Sequence, residues 1–177
     1  MDKFNLNELL IIAIMGAIGL AIKPIVTPLV HIISSPLMIP GGSIAGGIYM
    51  SWIVLAKLLV PKKGSALLAA ATQALVVLFL GYFGNHGVFS IISYGLPGLA
   101  VELIALLYNK RNIFAAIIYC IAANMVGALL IALVIFRMPT IPLLISLSAA
   151  LVSAVLGGLL AWGIFIEIKK LKIIKVV

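Results

Sequence analysis

Glu102 is the residue that most invites chemistry: it stands in "ISYGLPGLAVELIALLYNKRN" with Ala, Val, Leu and Ile around it. An ionised carboxylate near the centre of a lone membrane helix costs about 2.5–3.5 kcal/mol. It must therefore be paired, protonated or open to a polar cavity. A hydrogen bond to a neighbouring helix, a ligand contact and a proton relay are the three roles that follow, the relay weakened by the lack of a second buried ionisable group. Gln73 and Asn124 are amides set deep in their own apolar runs, as packing bonds worth about 0.6 kcal/mol each or as ligand contacts. A further set gathers at one mouth: Lys23, His31, Tyr82, Phe83, Asn85, His86, Tyr94 and Arg137. Aromatic residues there anchor a helix at the membrane interface, or join amide and basic groups in a small-molecule site. Gly95, Pro97 and Gly98 break the helix that carries Tyr94 and Glu102, and such breaks either adjust packing or line substrate cavities. The candidate substrate-binding residues are thus Glu102, Tyr94, Asn124, Gln73, His86, Asn85, Lys23 and Arg137.

Other chemistry has little to stand on. No G-x-x-x-x-G-K-[ST] is present to cradle ATP phosphates, and "PGGSIAGG" lacks the order of a dinucleotide loop. His31 and His86 have no Glu or Cys at ligand spacing, so no metal is expected. Ser34, Ser35 and Ser90 have no paired His and acid, so neither catalysis nor a cofactor is expected. The single Cys120 excludes an internal disulfide.

The elements that must position these groups are set by composition. The chain of 177 residues is 65% hydrophobic and 9% charged, with mean hydropathy +1.36, whereas a soluble domain is about a quarter charged. An all-α membrane protein follows, since irregular backbone facing lipid leaves amides unpaired. Spans long enough for a core about 30 Å thick are expected near 9–30 (interrupted at Lys23-Pro24), 43–60, 65–81, 90–108, 113–136 and 142–166, making one six-helix domain over 1–177. Asp2 and Glu8 spoil a signal peptide's basic start, so the first span is read as retained. Ten of the 12 basic residues (Lys3, Lys57, Lys62, Lys63, Lys110, Arg111, Lys169, Lys170, Lys172, Lys175) fall on one side, leaving Lys23 and Arg137 on the other. The positive-inside bias then puts both termini in the cytoplasm of a multi-pass cell-membrane protein. It also accounts for the net charge of +8 through anionic lipid heads rather than nucleic acid.

Small residues recur every fourth position in three spans: Ala13-Ala17-Ala21, Ala66-Ala70-Ala74 and Ala150-Ala154-Gly158. Residues four apart share a helix face, and small ones let helices approach closely in lipid. The first strip serves either internal packing or docking onto another membrane protein.

Six short helices, both termini inside, no ATPase and A-x-x-x-A on the first helix resemble the substrate-binding S component of energy-coupling factor (ECF) vitamin transporters. The resemblance implies that Ala13 and Ala17, extended to Ala21, dock on a transmembrane coupling subunit driven by two ATPase subunits. It also implies that the loop around His31 to Gly42 closes over a vitamin, which is released inside when the chain topples. "KKGSALLAAATQALVVLFLG" and "YGLPGLAVELIALL" are similar to the YkoE-like branch, associated with thiamine or its hydroxymethylpyrimidine precursor. Lys62, Lys63, Gly64, Ser65, Ala66, Leu67, Leu80, Gly81, Gly95, Leu96 and Glu102 stand in its pattern, with one extra residue before Glu102. Branch members often carry acids in the third helix, where this chain has Ala70 and Val77. Glu102 is then left alone to meet a cationic ligand.

Overall fold

The computed structural model describes residues 3–37, 39–79 and 89–171. Among the described residues seven α-helices follow one another: α1 (Leu6–Ala21), α2 (Lys23–Ser34), α3 (Gly41–Leu59), α4 (Ser65–Phe79), α5 (Ser90–Leu107), α6 (Ile113–Leu130) and α7 (Thr140–Lys170). A π-helical segment, Ile131–Ile135, continues α6. Four of these are long and apolar enough to cross a membrane: α3, α5, α6 with its extension, and α7. A fifth results if α1 and α2, bent by 40°, form one broken span. The shorter apolar α4, with 15 residues, stands where the sequence placed the third of six spans. The expected span 9–30 is thus two helices that meet at Ile22, with Pro24 in the first turn of the second. The last helix outruns its expected end at 166. At 31 residues it is about 46 Å long, longer than a hydrocarbon core of about 30 Å, and its last turn carries Lys169 and Lys170.

α3 is the hub: 72% of its apolar window is buried, against 28–33% for α5, α6 and α7. It packs on α7, α6, α1, α2 and α4. Close approach is made possible by small residues. A Cβ on Gly47 would strike the Ser153 backbone, and one on Gly157 would strike the Gly47 carbonyl, so α3 and α7 cross almost backbone to backbone. Hydrogen bonds pin the same crossing. Ser43 and Ser146 share one at 2.6 Å, and Gly47 N–H donates to Ser153 Oγ at 2.9 Å. On the other side, Gly98 of α5 lies against Ala66 and Ala70 of α4, which uses the second small strip internally. Ala150 and Ala154 of the third strip are likewise fully buried.

One end of the bundle is laced by charge. Asn5 and Glu8 form a capping box on α1, and Lys62 Nζ donates to Glu8 at 2.7 Å. Glu102 ties the α3–α4 turn to α5. One of its oxygens accepts from Lys57 Nζ at 2.9 Å, and the other accepts from Ala66 N–H at 2.8 Å. A free amide in the first turn of α4 thereby gains an anionic acceptor.

Candidate substrate-binding site

The opposite half of the bundle holds Lys23, Tyr94 and Gln73. The α1–α2 break turns the chain at Ile22 and delivers Lys23 toward α3 and α5. Its ammonium donates to Tyr94 Oη at 2.7 Å. It also lies 3.9 Å from the centre of the Tyr94 ring and 4.9 Å from that of Tyr49. One turn further along α2, Thr27 shares a hydrogen bond with Tyr49 Oη at 2.9 Å. Two ring faces and a phenol oxygen thus surround a cation.

One turn before Lys23, Gly19 leaves room for two more polar side chains. A Cβ there would collide with Gln73 Nε2 and touch Trp52 Cβ at 3.0 Å. Gln73 is 2% exposed, yet its amide nitrogen has no hydrogen-bond partner, and neither does buried Trp52 Nε1. Such orphans are few in native proteins, and each asks for an explanation. Lys23, Tyr94 and Gln73 are therefore brought into one region, joined by Tyr49, Thr27 and Trp52. The last three escaped the sequence reading. Tyr49 and Trp52 lie in "IYMSWIVLA", which reads as part of an apolar span; Thr27 alone carried a signal, four residues from Lys23 and so on its helix face.

The remaining candidates lie elsewhere. Glu102 is in the charged end, occupied by Lys57 and the α4 amide. Asn124 is buried at the α3–α6–α7 crossing, where its Nδ2 donates to the Ala150 carbonyl at 2.7 Å and its amide lies against Gly46. Arg137 is exposed in the α6–α7 turn with φ 47°. Asn85 and His86 lie outside the described residues. Along α1 the buried column is Ile12, Met15, Gly16 and Gly19, whereas Ala13 is half-buried and Ala17 and Ala21 are exposed. Three of α1's small residues thus form a strip that the bundle does not fill. Among the described residues, no three His, Cys, Asp or Glu side chains come together in a way that could hold a metal ion.

This helical bundle, with its first two helices bent against each other and a polar cluster at one end, has a fold seen before. It is similar to a solved structure described as the crystal structure of an S-component of ECF transporter, with TM-score 0.81 and 20% identity. That similarity covers 97% of this chain and 89% of the other. The family described as "ABC-type cobalt transport system, permease component" matches residues 7–129, and the chain belongs to it. No curated protein matches.

Proposed function

We propose that the chain is the membrane-embedded substrate-binding subunit of an ECF-type ABC importer, capturing a vitamin or vitamin precursor outside the cell. The observation that carries this reading is the strip Ala13-Ala17-Ala21, half-buried at Ala13 and exposed at Ala17 and Ala21, on a bundle of S-component fold. Small side chains on a lipid-facing surface gain nothing from hydrocarbon, but they let a partner helix approach closely and slide. The partners are then a transmembrane coupling subunit and two ATPases. The charged end faces the cytoplasm with both termini, and the Lys23 cluster faces outward.

The test is co-expression of the tagged chain with an ECF coupling subunit and its two ATPases. Wild type is expected to retain all three, and Ala17→Leu to lose them while remaining folded. Equal retention by both would reduce the strip to a lipid-facing surface.

Thiamine or hydroxymethylpyrimidine is the finer reading from the YkoE-like pattern, and it asks Glu102 to leave Lys57. The family description favours a second reading, in which the cargo is cobalt ion. Against it stand the lack of a His, Cys, Asp or Glu cluster among the described residues and the ammonium at the cluster. Saturable ⁵⁷Co²⁺ binding by the purified chain would establish that second reading.

A further inference from the structure

We propose that the Lys23 cluster receives an organic carboxylate, whose negative charge pairs with the Lys23 ammonium and whose body lies beside the Tyr49 and Tyr94 rings. The proposal rests on the reading of the chain as a substrate-binding subunit and names the class of substrate. Three independent observations point the same way.

The first is charge. Each described carboxylate is engaged with a lysine away from this cluster: Glu8 with Lys62, Glu102 with Lys57 and Glu167 with Lys170. Lys23 has no carboxylate partner among the described residues. Tyr94 accepts one of its three protons, and the two ring faces satisfy the rest only in part.

The second is an excess of donors. Trp52 Nε1 can only donate, and the Gln73 amide nitrogen only donates; both are buried without an acceptor, on side chains whose Nε2 (Gln73) and Cβ and Cγ (Trp52) lie against Gly19, four residues before Lys23. An ammonium, an indole N–H and an amide NH₂ in one region call for an acceptor-rich anion. A metal cation or a thiazolium would meet these positive ends unfavourably.

The third is shape. Tyr49 and Tyr94 come from different helices, α3 and α5, and both present ring faces to Lys23. A flat or aliphatic ligand body beside the ammonium finds apolar walls there. Lys23 as a whole residue is half-buried, its ammonium held against the two rings.

The experiment uses the intact chain in phosphatidylcholine nanodiscs and reads Trp52 emission, with Trp162→Phe removing the second of the two tryptophans. Three isosteric pairs serve as probes: nicotinate and nicotinamide, 4-aminobenzoate and 4-aminobenzamide, biotin and biotinamide. Each is titrated to about 1 mM, the weak end of ligand affinity, together with thiamine. At least one carboxylate is expected to shift the emission saturably, at least tenfold more tightly than its amide. Lys23→Met should weaken that binding by about 30-fold or more, and Lys23→Arg should retain it. Should Lys23→Met fail to fold, the acid-against-amide comparison on the wild-type lysine decides alone. Equal response to acid and amide, preference for thiamine, silence toward all three carboxylates, or a response only to added phosphatidylglycerol would each overturn the proposal. Retention of the coupling subunits is measured separately. A chain that holds them but prefers thiamine sinks this inference and leaves the proposed function standing; one that binds carboxylate but holds no partner does the reverse.

Discussion

Glu102 illustrates how a residue's chemistry is decided by its neighbours. Its side chain is 12% exposed and that of Lys57 only 2%, so removing one partner strands the other's charge in a low-dielectric setting. Lys57 also donates to the Lys62 carbonyl at 2.8 Å, which fixes the lysine where its charge is needed. Glu102→Gln is therefore expected to lower stability by about 3 kcal/mol, read as a fall in unfolding temperature in detergent. The double variant Lys57→Met/Glu102→Leu should recover much of that loss, because a buried ion pair replaced by apolar side chains is often near neutral. The uncapped Ala66 amide would still cost about 1 kcal/mol. If folded Glu102→Gln instead loses ligand binding with unchanged stability, Glu102 leaves Lys57 to meet the substrate.

At the scale of elements, α1 carries two columns of small residues with opposite duties. Gly16 is buried, and a Cβ there would sit 2.8 Å from the Ala69 carbonyl and 3.0 Å from Thr72 Cβ. Gly16→Leu should therefore push α1 off α4, with a loss of at least about 1–3 kcal/mol. Ala17, one residue on, is exposed, so Ala17→Leu should change stability by no more than about 0.5 kcal/mol. Parallel thermal unfolding of the two variants checks this, and similar losses would mean that Ala17 also packs inside. The period-four spacing of small residues was legible in the sequence, and so was the break at Lys23-Pro24. Which column turns inward was not, because residues on both faces are apolar and only the neighbouring helix distinguishes them. The same limit hid Tyr49, Trp52 and the pairing of Lys57 with Glu102: Lys57 counted toward topology, whereas its partner lies 45 residues away on α5.

For the whole molecule, charge and connectivity gather the basic residues at one end. The α3–α4 turn, the α5–α6 turn and the end of α7 carry Lys62, Lys63, Lys110, Arg111, Lys169 and Lys170, while the α6–α7 turn carries Arg137. Glu8 binding Lys62 brings the start of α1 to the basic end. On the proposed orientation the positive-inside bias puts the basic end in the cytoplasm, which leaves the Lys23 cluster on the side from which the proposed importer would load. Single cysteines test this directly, because the native Cys120 is fully buried and should stay silent to a membrane-impermeant maleimide. Thr140→Cys at the start of α7 and Lys110→Cys in the α5–α6 turn both lie at exposed positions. In intact cells Thr140→Cys should label and Lys110→Cys should not, until the membrane is permeabilised. The reverse pattern would turn the Lys23 cluster toward the cytoplasm, where a loading site for import has no use. Labelling of both in intact cells would mean that α6 with its extension, the helix between them, does not cross.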